Sequence, residues 1–309
     1  MGTHQQKHEL RINGVTLYIS SLEKPLWPKQ QLFKADYLQY LTTVAPYMLP
    51  FLKNRPLTSI RYPHGTEGER FFQKNCPDYA PDFIQTALYD NKRYIVCNTL
   101  QTLLWLGNQL VLEMHIPFHT SSSCHPSEIV IDLDPPDAAH FSLAVEAALL
   151  IYEVCQKLQL SAFVKTSGNK GMQVYIPLPE QTFTFDDTRL FTTFLAHYLL
   201  SKQPTFFTIE RLKKNRGNKC YIDYIQHAYG KTIIAPYSTR GNEEGLVATP
   251  LYWNELTSSL KPTNFPLASI TERLKNKGDP FATFLEAKKQ QPFAPVLAWL
   301  QNEGHGLSL

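Results

Sequence analysis

The chain has 309 residues, 43% of them hydrophobic and 18% charged, with a formal net charge of +3 and a pI near 8.4. Those proportions exclude a largely disordered chain and leave room for one large domain or two small ones. So mild a positive balance permits a polyanionic partner without arguing for one, so the placement of the basic residues has to decide.

In chain order, the polar residues Met1–Glu9 read as a mobile tail or an expression scar, followed by a short strand at Leu17–Ile19. Apolar residues at Tyr37, Leu38, Leu41, Val44 and Ala45 predict a helix over Lys34–Leu52. Strand-like runs recur at Leu57–Tyr62, Tyr94–Cys97, Glu128–Leu133, Val174–Leu178, Cys220–Ile225 and Thr232–Pro236. Helices are expected at Thr99–Gln109, Ser142–Gln159, Asp187–Lys202 and Thr271–Lys275. The apolar stretch from Phe141 to Leu160 is broken by Glu146, Glu153, Gln156 and Lys157, so it reads as an amphipathic helix and not a membrane span. Lys261–Pro266 marks the edge of the catalytic unit, which gives a tail with the first strand (1–20), a catalytic domain (21–266) and peripheral C-terminal helices (267–309). Many connections are too short for βαβ crossovers, so the expected class is α+β, a mixed or antiparallel sheet with flanking helices.

Five cysteines, Cys76, Cys97, Cys124, Cys155 and Cys220, are widely spaced with no CxxC pair. That pattern fits a reducing cytoplasm and argues against a structural zinc site. The strongest local signal is Glu128-Ile-Val-Ile-Asp-Leu-Asp-Pro-Pro. In a strand, Ile129, Ile131 and Leu133 share one face, and Asp132 and Asp134 project together from the other. Two acids on one face repel unless positive charge lies between them, which a divalent cation supplies. Asp223, in Cys220-Tyr-Ile-Asp-Tyr-Ile-Gln, is a plausible third carboxylate. An all-oxygen set favours Mg²⁺ or Mn²⁺, and two such ions suit phosphoryl chemistry. The bland alternatives are a solvated DxD loop and an exposed strand acid.

Between these strands lies Lys165-Thr-Ser-Gly-Asn-Lys-Gly-Met-Gln. Gly168 and Gly171 permit a turn whose N–H groups can face an anion, with Ser167 and Lys170 as further donors. The segment lacks the GxxxxGK[ST] spacing of a P-loop, and an ordinary hairpin turn remains the alternative. Basic residues concentrate at Arg211–Lys219, just before Asp223. Phe71 and Phe72, flanked by Arg70 and Lys74, are either core or a base-stacking pair. His115 is either a buried, hydrogen-bonded histidine or a phosphate ligand.

The order of the DLDPP strand, the SGNKG loop and the YIDYIQH strand resembles the archaeo-eukaryotic primase-polymerase superfamily. The closer likeness is to the polymerase domain of bacterial DNA ligase D, the enzyme of non-homologous end joining. It runs from Ser21 to Pro266 and includes Glu23-Lys-Pro-Leu-Trp-Pro, Arg61-Tyr-Pro-His-Gly and Phe71-Phe-Gln-Lys-Asn. The resemblance implies an RRM-like antiparallel catalytic sheet packed with a second small sheet and flanking helices. It implies two-metal nucleotidyl transfer, with Mn²⁺ or Mg²⁺ on Asp132, Asp134 and Asp223. His115, Ser167, Lys170 and Arg240 would hold the triphosphate of a nucleoside triphosphate, with Gln226 beside that nucleotide. Phe71 and Phe72 would stack on the template. Ser21, Lys24 and Lys34 would grip the 5′-phosphate of the downstream DNA strand, with Arg61 and Arg216 on the same nucleic-acid surface. A preference for ribonucleotides, cytoplasmic and nucleoid-associated localisation, and Ku and a ligase domain or subunit as partners are implied as well. No adenylating lysine motif and no nuclease module is recognisable, so the chain reads as a stand-alone polymerase or a domain of a longer protein. It departs from the family pattern at Gln173, where relatives carry histidine, and at Ser21, where asparagine is expected. Two other readings use the same residues. A metal-dependent nuclease would shorten DNA without triphosphates, and a silent end-binding module would bind 5′-phosphate ends without Mn²⁺.

Overall fold

The structure is a computed structural model describing residues 7–303, so positions 1–6 of the expected tail and 304–309 lie outside the described residues. The chain folds into two compact units. The first comprises the residues up to Ile116 with Ile234–Val247 and Phe265–Lys277, the second Pro117–Ile233, Ala248–Asn264 and the residues from Gly278 onward. Neither unit is a continuous stretch of sequence, and the expected C-terminal portion 267–309 is shared between them.

In the first unit, Lys7–Ile12 pairs antiparallel with Val15–Ser20 across Asn13-Gly14, where both residues take positive φ (47° and 80°). Asn-Gly is the pair that a two-residue hairpin turn of this hand favours. The helix Lys34–Leu52 has the predicted bounds; Asp36 accepts the Phe33 N–H at 2.8 Å to close its first turn. Its buried face (Tyr37, Leu38, Leu41, Val44, Met48) packs on the helix Leu100–Asn108. Each such side chain contributes about 1.5–3 kcal/mol of transfer free energy. The strands Val111–Pro117, Thr58–Arg61 and Phe71–Gln73 pair in that order, all antiparallel.

The second unit is built on a six-stranded sheet: Phe207–Thr208, Cys220–Asp223, Glu128–Asp134, Met172–Pro177, Phe163–Thr166 and Pro250–Leu251, side by side in that order. Its central elements run Glu128–Asp134, helix Phe141–Lys157, Phe163–Thr166, Met172–Pro177, helix Phe185–Lys202, Cys220–Asp223. That is a β-α-β-β-α-β succession with spatial order 4-1-3-2, the ferredoxin or RRM arrangement expected above. Every pair in the sheet is antiparallel except Phe207–Thr208 with Cys220–Asp223, so the whole is α+β.

Ile129, Ile131 and Leu133 are fully buried, and the helices Phe141–Lys157 and Phe185–Lys202 pack on their strand. Among the described residues, 138–157 is the one stretch long and apolar enough to cross a membrane; its helix buries Ala144, Ala148, Ile151 and Val154 inside the unit. Phe281 and Phe284 meet Phe163 and Tyr175, with centroids 5.1–6.3 Å apart, and cover one end of the sheet. The helices Phe284–Gln290 and Phe293–Glu303 lie in the portion expected to be helical and peripheral, but this contact makes Phe281 and Phe284 part of the core.

Candidate active site

Register decides the geometry of the carboxylates. Asp132 sits directly opposite Asp223 on one neighbouring strand and opposite Gln173 on the other; Gln173 in turn sits opposite Lys165. Side chains directly opposite in an antiparallel pair share a face. Lys165, Gln173, Asp132 and Asp223 therefore form a row across four strands, with Asp134 two residues further along the Asp132 strand.

The three acids have different surroundings. Asp132 accepts a hydrogen bond from Gln173 Nε2 at 3.0 Å. Asp223 accepts from Tyr221 Oη at 3.2 Å and from the Gln226 N–H at 3.0 Å. Burial raises the pKa of Asp223 above the usual carboxylate value, and the Asp134 charge adds to that, against those two bonds and the Arg216 charge. Asp134 lies between two cations, Lys170 Nζ at 2.9 Å and Arg216 Nη1 at 3.3 Å. Among the described residues no three His, Cys, Asp or Glu side chains stand together as a ready cage for an ion. The donor set nevertheless fits a hard divalent cation, being all oxygen, on one face, and held with two carboxylates directly opposed. An ion bound by all three acids would share Asp134 with Lys170 and Arg216.

The SGNKG segment is the turn of the hairpin Phe163–Thr166 to Met172–Pro177, and it is folded down on the carboxylate strand. Ser167 Oγ accepts from the N–H groups of Asn169 (3.3 Å) and Gly171 (3.1 Å), and Gly168 has φ +69°. A Cβ on Gly171 would lie 2.3 Å from the Leu133 carbonyl oxygen, so only glycine allows this approach. Lys170 also donates to the carbonyls of Pro135 and Pro136, which ties the loop to the end of the Asp strand.

Arg216 turns inward, its guanidinium 3.7 Å from the Tyr221 ring centroid and bonded to the carbonyls of Glu210 and Arg211. It thus lies at Asp134, beside the carboxylates. Gln226 donates from Nε2 to the Thr232 carbonyl at 2.7 Å, and Arg189 holds the same segment through the carbonyls of Tyr224 and His227.

His115 and Arg240 belong to the first unit, where a residue that sequence reasoning passes over brings them together. Arg240 Nη1 lies 2.8 Å and His115 Nε2 3.1 Å from Oε2 of the buried Glu113. Lys24 and Lys34 meet through the backbone, with Lys34 N–H donating to the Lys24 carbonyl at 2.9 Å. The Lys34 ammonium is buried and bonded to the Ser20 carbonyl at 2.7 Å. Burial first, and the neighbouring Lys24 charge second, lower its pKa to about 8. Ser21, in the same segment, takes φ +54° and accepts from the Lys24 N–H.

Phe71 and Phe72 lie on a strand with 44% and 68% of their surface exposed, which removes the core-packing alternative. The Arg61 guanidinium lies 5.3 Å from the Phe71 ring centroid and donates to Tyr79 Oη at 2.9 Å. Glu113, Tyr221, Lys165 and Tyr79 do not stand out as site residues in the sequence, whereas Gln173 does, as the departure from the family pattern. A lone acid two residues before His115, and a tyrosine two before Asp223, are the signals that point to the first and second of them.

The LigD primase-polymerase domain family model matches residues 33–281. The chain is 50% identical over 287 residues to the bifunctional non-homologous end joining protein LigD of Bacillus subtilis (strain 168), covering 93% of this chain and 47% of that protein. It is 30% identical over 269 residues to the multifunctional non-homologous end joining protein LigD of Mycolicibacterium smegmatis, covering 84% of this chain and 35% of that one. The chain thus spans half or less of the length of these relatives. Among solved structures it resembles the polymerase domain of Mycobacterium tuberculosis ligase D in complex with DNA, with a TM-score of 0.80 and 26% identity over 89% of this chain and 99% of that one. The opposed carboxylates, the RRM-like sheet and these matches agree: the chain belongs to the LigD primase-polymerase domain family, a family of nucleotidyltransferases.

Proposed function

We propose that this chain is a template-directed polymerase of bacterial non-homologous end joining, adding nucleotides, ribonucleotides by preference, to 3′ ends at DNA breaks and gaps. The observation that carries the reading is Asp132 opposite Asp223 with Asp134 beside them, on the sheet of this polymerase family. Those three acids would hold two divalent cations, Mn²⁺ or Mg²⁺. Bound there, the ions would activate the primer 3′-hydroxyl and offset charge on the departing pyrophosphate.

The protein's own part is positioning and charge. Lys170 leaves Asp134 and turns its ammonium to the triphosphate, with Ser167, His115 and Arg240 as further donors. Gln226, fixed by its bond to Thr232, lies beside the nucleotide. Phe71 and Phe72 stack on the templating base, flanked by Arg61. Ser21, Lys24 and Lys34 bind the 5′-phosphate across the gap, and Arg216 offsets the charge of Asp134. Ku and a ligase domain or subunit, the partners that the family resemblance implies, are the proposed partners.

Primer extension with Mn²⁺ on a gapped, 5′-phosphorylated duplex tests this, with NTP and dNTP compared. The Asp132→Ala, Asp134→Ala double variant should lose at least about a thousandfold in rate, since ion binding is worth several kcal/mol and each 1.4 kcal/mol is tenfold. Full activity in that variant would sink the assignment.

A further inference from the structure

Glu113 stands in an apolar strand, nearly buried, with Leu112 and Met114 fully buried on either side of it. Both of its oxygens are engaged. Oε1 accepts from Tyr62 Oη at 2.6 Å and from the Gly241 N–H at 3.1 Å; Oε2 takes Arg240 Nη1 at 2.8 Å and His115 Nε2 at 3.1 Å. These groups come from three separate parts of the first unit. His115 shares the strand and, two residues on, the face. Tyr62 follows the strand Thr58–Arg61, and Arg240 lies 127 residues beyond Glu113 in the chain, with Gly241 next to it. Burial alone would raise the pKa of the carboxyl, but the bonds from His115 and Tyr62 and the Arg240 charge outweigh it and hold it well below the usual carboxylate range.

The arrangement is tightly built. A Cβ on Gly241 would lie 2.0 Å from Tyr62 Cζ, so this glycine lets the Tyr62 ring reach Glu113. Arg70 Nη1 stands 3.4 Å from Tyr62 Oη and adds a further cation at the rim. One buried carboxylate thus faces up to three basic side chains. His115 and Arg240 are partly open to solvent, with 16% and 21% of their side-chain surface exposed against 5% for Glu113. The anion is at the bottom and the cations are toward the surface.

We propose that Glu113 is a positioning residue for nucleoside triphosphate binding: it fixes the His115 ring and the Arg240 guanidinium in the rotamers that present their N–H donors to the phosphates. The proposal rests on the reading that His115 and Arg240 are phosphate contacts. Tyr62 and Gly241 in turn orient the Glu113 carboxylate, so the cluster is set before any ligand arrives, and little ordering remains to oppose binding.

The test is steady-state primer extension by the full chain at varied NTP, with Glu113→Gln beside Arg240→Ala and His115→Ala. Glu113→Gln keeps the shape but removes the charge that Arg240 and His115 share. It should raise the KM for NTP at least about tenfold and leave kcat within about threefold, the signature of lost nucleotide binding. The double variant Glu113→Gln, Arg240→Ala should raise KM by less than the product of the two single effects, because the part of Glu113 that acts through Arg240 is already lost in Arg240→Ala. If His115→Ala and Arg240→Ala keep the wild-type KM, the phosphate reading fails. If they lose it while Glu113→Gln does not, the positioning role fails and the phosphate reading stands. Should Glu113→Gln melt out in a thermal scan, Tyr62→Phe removes a single hydroxyl donor; an unchanged KM there overturns the proposal, and a rise of about threefold supports it.

Discussion

At the scale of single residues, buried charge explains the most. Lys34 is an ammonium held out of water beside a second lysine, so its folded pKa of about 8 lies below the ordinary 10.5. The sign follows from burial disfavouring the charged form. Below about pH 8 the protonated lysine costs folding free energy, and that cost fades as pH rises from about 8 to 10.5. An anion beside Lys34 would restore the charged form, so the proposed 5′-phosphate contact would take up a proton near pH 8. The advantage of a 5′-phosphorylated gap over an unphosphorylated one should therefore be full at about pH 7 and shrink by about pH 9. Fluorescence anisotropy with both duplexes across that range checks it, and an advantage that does not change with pH contradicts the assignment. Gln173 is instructive in the other direction. Where the family resemblance implies a histidine, it donates from Nε2 to Asp132. Glutamine preserves the bond to the carboxylate but brings no positive charge with it.

At the scale of elements, the Asp132 strand and the hairpin turn beside it act as one piece. Lys170 grips the strand end through Asp134 and two proline carbonyls, and Gly171 makes room for that approach. In Gly171→Ala the added methyl meets a backbone oxygen of a central strand, which has little freedom to move. The turn must lift instead, carrying Lys170 and Ser167 away from the carboxylates. Stability should fall by about 1–3 kcal/mol, the usual range for overpacking. Urea titration measures that fall, and extension should fall with it; an unchanged midpoint would mean that the turn does not press on the strand. Long elements with one clear period are legible from sequence, as Lys34–Leu52 shows by matching its predicted bounds. Phe71–Gln73, Thr86–Tyr89, Val111–Pro117 and Phe163–Thr166 do not stand out as strands in the sequence. Three of them are only three or four residues long, too short for an alternation to show. Val111–Pro117 hides its pattern because six of its seven residues are buried, the mark of a strand covered on both faces.

At the scale of the whole molecule, chain order is a poor guide to what packs together. The residues past Asp279 look peripheral in sequence, yet Phe284 is nearly fully buried against Phe163 and Tyr175 of the catalytic sheet. Phe284→Ala should cost about 3–5 kcal/mol, as for other buried aromatic truncations. Its denaturant midpoint should drop accordingly, whereas a change under about 0.5 kcal/mol would restore the peripheral reading. The amino-acid sequence by itself determined the α+β class, the long helices, the Asp132 and Asp134 face and the family. Those are local or ordered properties: a period of two puts both acids on one side wherever the strand lies, and motif order survives without coordinates. Tertiary structure alone decided that Asp223 is directly opposite Asp132, that Lys170 and Arg216 neutralise Asp134, and that Glu113 joins His115 to Arg240. Register and long-range pairing set those contacts, and a shift of one residue in register would turn Asp223 to the opposite face.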